Sequence, residues 1–171
     1  EQINDILNHT LTTKIESDYL NWLKKSQPFN WYSEYYNIIS EANGRGGFDI
    51  IIGNPPYVEY KSVKSQYEIS GYKTEACGNL YAYVLERCQY LLKDNGIIGM
   101  IVPLSGHSTE RMEPLVTEFY EKFPGRFIAN FSGDANPSHL FPGVKFRLAI
   151  LFVSKWFNGN YSTKYRKWYS E

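Results

Sequence analysis

Phe48-Asp49-Ile50-Ile51-Ile52-Gly53-Asn54-Pro55-Pro56-Tyr57 is the stretch on which the fold turns. Phe48–Ile52 is a short β-branched run between glycines, the pattern of a strand buried in a parallel sheet. The strand has to stop at Asn54–Tyr57, because neither Pro55 nor Pro56 has an N–H to give to a ladder. Carbonyl oxygens in such a turn have no obligate partner and are free to point into a pocket. Asn54 sets a side-chain carbonyl beside them, and Tyr57 adds a flat face. Two acceptors and a ring suit a planar group carrying an NH₂: the acceptors take its two N–H bonds while the ring stacks. The position also suits a ligand, since open α/β sheets bind at the carboxyl ends of their strands. A tyrosine packed on a proline-rich turn is the plain alternative.

On the N-terminal side, Ile3, Leu7, Leu11, Ile15, Tyr19 and Leu23 recur every four residues, with Ile6 and Trp22 alongside. That spacing predicts one helical face, in one helix or two, ending before Pro28. Trp31–Ala42 reads as a second helical piece, closed by the glycine cluster of residues 43–47. On the C-terminal side, Val58–Ala76 is polar and aperiodic, the pattern of a mobile surface loop. Leu80, Val84, Leu85, Cys88, Leu91 and Leu92 keep helical spacing, with Gly96 expected as the cap. Gly96–Val102 is a second buried strand, stopped by Pro103. Thr109–Phe123 is a third helix with Pro114 in its first turn. Phe127–Phe131 and Phe146–Val153 are further strands. Asn158-Gly159-Asn160 signals a hairpin, with Tyr161–Trp168 returning along the strand before it. This order predicts an α/β sheet with parallel strands and an antiparallel end.

The chain has 171 residues, with 18 Lys+Arg against 18 Asp+Glu and a pI near 7.1. Zero net charge excludes attachment to nucleic acid by bulk charge, though not a local phosphate-binding face. The longest uncharged apolar stretch, Gly96–Leu104, is far short of the ~20 residues that span a bilayer. No signal peptide is visible, and Cys77 and Cys88 are too few for a disulfide scaffold, so a reduced cytoplasmic compartment is expected. His9, His107 and His139 lack any metal-ligand spacing, so no metal is expected. Lys61, Lys64 and Lys73 follow the proline turn but are balanced by Glu59, Glu68 and Glu75. Asp49 is expected to cap or form an ion pair. Lys155, Lys164, Arg166 and Lys167, interleaved with Trp156, Tyr161, Tyr165 and Trp168, form the best basic-aromatic stretch, which a hairpin with a solvated face explains equally well. The chain begins at Glu1 without a methionine, which points to a piece of something longer.

Asn54-Pro55-Pro56-Tyr57 after Asp49-Ile50-Ile51-Ile52-Gly53 resembles the hallmark of the N6-adenine-specific DNA methyltransferases. The resemblance extends to Phe29-Asn30-Trp31 with Glu34, to Gly46-Gly47-Phe48-Asp49, and to Gly78-Asn79-Leu80-Tyr81-Ala82-Tyr83. It continues through Leu91-Leu92, Gly96 and Ile101-Val102-Pro103 to Leu140-Phe141-Pro142-Gly143-Val144-Lys145. These segments are similar to those of the large restriction–modification and phage-exclusion enzymes. The implied fold is a partial Rossmann-like class I methyltransferase sheet, with strands equivalent to 4 to 7 and flanking helices. Residues 1–28 would be an N-terminal helical segment and 29–171 the C-terminal half of the catalytic domain.

The implied activity is methyl transfer from S-adenosylmethionine to the N6 amino group of an adenine flipped out of DNA. Asn54, Pro55, Pro56 and Tyr57 would be catalytic. Tyr57 and Phe141 would stack on the base, with no task for the Tyr57 hydroxyl. Asn54 alone would also touch the cofactor. In this branch the cofactor's glycine-rich turn lies upstream, after a first strand. Gly44, Gly46 and Gly47 instead precede a strand, so the chain is expected to hold the target-base half of the site and little of the cofactor half. Its partners would be DNA and the rest of the parent polypeptide. The edge of Phe48–Ile52, deprived of the first strand, would favour a homodimer. Protein-glutamine and RNA guanine-N2 methyltransferases share the tetrapeptide, and a non-catalytic DNA- or subunit-binding remnant is the alternative outside the enzymes.

Overall fold

A computed structural model of the chain describes residues 16–40, 46–133, 141 and 146–166. The chain divides into two units, Glu1–Gly47 and Phe48–Glu171. In the first unit, α1 (Glu16–Ser26) ends ahead of Pro28 as its spacing predicts, and Lys24 and Lys25 sit in its last turn, where the helix dipole favours cations. Its expected earlier part, Ile3–Ile15, lies outside the described residues. The helix expected over Trp31–Ala42 is instead two single turns, α2 (Trp31–Glu34) and α3 (Tyr36–Ile39). Asn30 caps α2 by accepting the Ser33 N–H at 3.1 Å. Tyr35 then leaves the helical region at φ −121°, ψ 33°, which separates the two turns.

The second unit is a five-stranded mixed sheet. Its strands are β1 (Phe48–Gly53), β2 (Leu92–Pro103), β3 (Gly125–Phe131), β4 (Leu148–Ser154) and β5 (Gly159–Ser162), in the order β1-β2-β4-β3-β5. β1 and β2 are parallel, and β4 runs antiparallel between β2 and β3. The expected α/β sheet with parallel strands is therefore present, but its antiparallel strand, β4, lies in the middle of the sheet rather than at an end. The expected hairpin does not form: β5 pairs with β3, in parallel, rather than returning along β4. Both edges of β4 are already taken by β2 and β3, so the chain after Ser154 crosses to the only free side of β3. Gly159, at φ +152°, opens that strand, its N–H donating to the Pro124 carbonyl at 3.1 Å.

The connection from β1 to β2 runs through α4 (Leu80–Leu91). This helix lays Tyr81, Ala82, Leu85 and Cys88 on the sheet face made by Ile98, Met100, Val102, Leu151 and Val153. α5 (Glu113–Glu118) adds Leu115, followed by Phe119 and Phe123. The helix expected over Thr109–Phe123 is broken into this single α-helix with a 3₁₀ turn on either side. Gly96 is not the cap of α4. The chain passes directly from Leu91 into β2, and Gly96 lies buried within that strand. A Cβ there would meet the Leu92 side chain at 2.6 Å and the Asp49 carbonyl at 3.0 Å, so glycine serves a close approach of chains.

One face of the sheet is thus covered. On the other, register aligns Ile52 with Gly99, Gly99 with Phe152, Phe152 with Phe127 and Phe127 with Tyr161. All four large side chains of this row are exposed within the unit, Ile52 at 76%. Among the described residues β1 stands at the end of the strand order, and Ile50 is 60% exposed.

The aperiodic segment after β1 is tied at its neck. Tyr60 donates to Gly78, and Leu80 to Val58, each at 2.9 Å. Deeper in, the buried carboxylate of Glu86 on α4 accepts from the Lys73 N–H (3.1 Å), the Thr74 N–H (2.9 Å) and the Thr74 hydroxyl (2.7 Å). A buried carboxylate with three donors is well satisfied, and removing it strands all three. Among the described residues no helix is long and apolar enough to cross a membrane. Glu86→Ala is expected to lower the unfolding free energy by about 2–4 kcal/mol, the cost of orphaning donors to a buried charge. Urea unfolding of the two proteins checks it, and an unchanged midpoint would show that Glu86 does not hold the segment.

Candidate functional site

The site forms where the β1 ladder runs out. Gly53 is the last β1 residue, opposite Met100, and β2 continues three residues farther, to Pro103. Beyond Gly53 the two prolines offer β2 no donor, so the Ile101 carbonyl needs another partner on that side. The Tyr57 hydroxyl is a side-chain donor within reach of it, at 3.0 Å. The same hydroxyl stands 2.5 Å from the Asn54 side-chain oxygen. Pro55 is buried, anchoring the turn, while Asn54 and Pro56 are exposed at the sheet's carboxyl end. Partial burial pushes the Tyr57 phenol up to about 12, so it stays protonated and able to donate at any physiological pH.

Two rings stand perpendicular to Tyr57. Tyr81 lies 6.4 Å away at 85°, and Phe146 lies 6.0 Å away at 81°. Phe146 is exposed and arrives from the segment before β4; Leu104 donates to the Arg147 carbonyl at 2.8 Å and fixes that approach. Phe146, expected as the first residue of an apolar strand, instead lies two residues ahead of β4 and packs on Tyr57. Phe141 is half-buried in a bend.

Gly78-Asn79-Leu80-Tyr81 sits beside the turn, as expected of a segment opening the next helix. Asn79 donates to the Glu59 carboxylate at 3.2 Å, and Arg111 grips the same carboxylate with two bonds of 3.1 and 2.6 Å. The Arg111 hydrogen bond holds the Glu59 carboxyl below the usual carboxylate range. Gly78 is at φ +60°, and a Cβ there would come within 2.7 Å of the Arg111 guanidinium. The residues after Tyr57 are therefore fastened to α4 and to the segment before α5.

Several other candidates make structural contacts. Asp49 pairs with Lys93 at 2.5 Å, and Lys73 with Glu118 at 3.0 Å. Cys77 and Cys88 are buried thiols, Cys88 pushed up to about 11 by burial. His107 is lowered chiefly by burial and packs edge-on to Tyr120. His9 and His139 lie outside the described residues. Among the described residues no group of acidic, histidine and cysteine side chains has metal-binding geometry.

Comparison with known proteins follows the same lines. The family model described as Eco57I restriction-modification methylase matches residues 1–136. A Methanocaldococcus jannaschii protein named as a type II restriction enzyme and methyltransferase is 32% identical over 99 residues, 58% of this chain and 8% of that protein. The DrdV–DNA complex contains a chain that superposes with a TM-score of 0.51 at 20% identity, over 72% of this chain and 15% of that one. A nuclease-deletion mutant of the Type ISP restriction-modification enzyme LlaGI, with a DNA substrate mimic, gives 0.52 at 18% identity, over 74% and 15%. The sheet is thus a Rossmann-like methyltransferase sheet, and the chain spans a small part of the length of each relative.

The Tyr57 phenol makes a pH prediction. Its folded pKa of about 12 lies above the ordinary 10, so its contribution to stability is complete below pH 10 and is lost as pH rises toward 12. Between pH 10 and 12 the urea midpoint of the wild type is expected to fall more steeply than that of Tyr57→Phe. Parallel curves would mean that the phenol titrates normally.

Proposed function

The chain belongs to the Eco57I restriction-modification methylase family, and on that premise we propose that it carries the target-base half of a DNA adenine-N6 methyltransferase site. The observation that carries this reading is the Asn54 amide, exposed at the carboxyl end of β1, with its oxygen oriented by Tyr57 and a donor-free proline pair behind it.

The chemistry asks for this arrangement. An adenine amino nitrogen is a poor nucleophile because its lone pair is delocalised into the ring. Hydrogen bonds from its two N–H groups to the Asn54 oxygen and the Pro55 carbonyl favour a pyramidal nitrogen and stabilise the positive charge that develops on it. S-adenosylmethionine would supply an already activated methyl group on a sulfonium. Its glycine-rich cradle is not among the described residues of this chain, since Gly46 and Gly47 precede β1 rather than follow a strand; Asn54 is the residue assigned to touch it. The chain's own part is to hold the base and align its nitrogen. The target has to leave the duplex to reach the turn, and Tyr57 and Phe141 are assigned to its faces. The partners are DNA and the rest of the parent polypeptide, in the cytoplasm, within a restriction–modification or phage-defence system. Residues 1–28 are read as a helical lead-in and 29–171 as half of the catalytic domain. The isolated chain is expected to be inactive.

In the parent enzyme, Asn54→Ala is expected to slow adenine methylation by about 10²–10³, the scale of one preorganised acceptor. Asn54→Asp should be milder because an oxygen acceptor survives. A rate for Asn54→Ala within threefold of wild type, in a single-turnover assay, would remove Asn54 from the mechanism.

The edge of β1 bears on assembly. Ile50 and Ile52 are exposed beside an end strand that no charge blunts at those positions. The isolated chain is expected to pair there as a homodimer. Sedimentation at micromolar concentration checks it: a monomer with hydrogen-exchange protection across Ile50–Ile52 would show that the chain covers the edge itself.

A further inference from the structure

The Tyr57 hydroxyl has one proton and two acceptors. The Asn54 side-chain oxygen is at 2.5 Å and the Ile101 carbonyl at 3.0 Å, and a phenol can donate to only one at a time. The two acceptors differ in kind. Ile101 is fixed in β2, paired with Ile150 of β4, and its carbonyl stays where it is whatever binds. Asn54 is exposed, carries a rotatable amide, and is the group to which the amino acceptor is assigned. An amide can present either its oxygen or its NH₂ at one place, and only the oxygen can receive an N–H. A neighbouring O–H donor selects the oxygen.

We propose that Tyr57 is a positioning residue for Asn54, its hydroxyl holding the amide oxygen toward the site and turning its O–H to the Ile101 carbonyl when a substrate amino group takes that oxygen. This deepens, and rests on, the reading of Asn54 as the amino acceptor. The hand-over breaks one O–H···O contact and makes another, with no net proton transfer. It leaves the Asn54 oxygen undivided for the amino group as positive charge builds. It also leaves no backbone acceptor orphaned in the bound state, since Ile101 gains the donor that Asn54 gives up. Raised by burial, the phenol remains protonated in both states. The ring is held independently by Tyr81 and Phe146, so the hydroxyl can be removed without moving the ring.

The experiment is a double-mutant cycle in the parent enzyme, read by single-turnover methylation of an adenine-containing duplex. Tyr57→Phe is expected to lower the methylation rate about tenfold, the scale of one hydrogen bond, with KM for DNA changed less than twofold. In the Asn54→Ala background the same change is expected to cost less than twofold, because the group it positions is gone. An equal tenfold loss in both backgrounds would place the hydroxyl's role in the sheet and overturn the proposal. No loss in the wild-type background would do the same. In an Asn54→Asp background, removing the hydroxyl takes a donor from the carboxylate, so the acid limb of the rate profile should move to higher pH. An unmoved limb counts against the proposal even where Tyr57→Phe is slow. Failure of the underlying reading looks different: Asn54→Ala itself would then be nearly as fast as wild type.

Discussion

The structure depends on the way one strand ends. β1 pairs in parallel with β2 as far as Gly53, and then two consecutive prolines take away the donors that would continue the ladder. The Ile101 carbonyl loses its ladder donor there, and the Tyr57 hydroxyl stands 3.0 Å from it, the side-chain donor within reach. The proline pair turns the chain after Gly53 back across the end of the sheet. It brings Asn54 to the rim, buries Pro55, and fixes the direction in which the following residues leave. The proline pair and the tyrosine are thus one device: the first opens a gap in the ladder, and the second closes it with a side chain.

Around this turn the protein uses polar ties where the apolar core does not reach. Glu59 is shared by Asn79 and Arg111, and Glu86 gathers the backbone of Lys73 and Thr74. The first ties lie close behind the Asn54–Tyr57 turn, and the second sits one layer deeper, against α4. A segment without hydrophobic period is held in this way by two carboxylates, one exposed and one buried. The opposite sheet face, from Ile52 across Phe152 and Phe127 to Tyr161, is a row of exposed apolar and aromatic side chains.

Much of this was legible in the residues themselves. The β-branched run before Asn54, the helical spacing from Leu80 and the strand at Phe127–Phe131 are local patterns, and the structure has all three, the helix ending at Leu91 where Leu92 opens β2. What was not legible is non-local. Asn158-Gly159-Asn160 has the composition of a hairpin turn, yet β5 joins β3 because β4 has no edge to spare. Gly96 has the look of a helix cap, yet its smallness answers to Leu92 and the Asp49 carbonyl. The ring of Tyr57 could be anticipated from the tetrapeptide. Its hydroxyl could not, because the acceptor at Ile101 lies forty-four residues on. Phe146 escaped for the same reason: the Tyr57 ring it packs on is remote in sequence.

The central claim is that the Asn54–Tyr57 turn receives the amino group of adenine. Nucleoside mass spectrometry of DNA incubated with the parent enzyme and S-adenosylmethionine tests it most directly. The account predicts N6-methyladenine as the product, absent when Asn54 is replaced by alanine. Methylation found on cytosine, or adenine methylation that survives the loss of Asn54 undiminished, would contradict it.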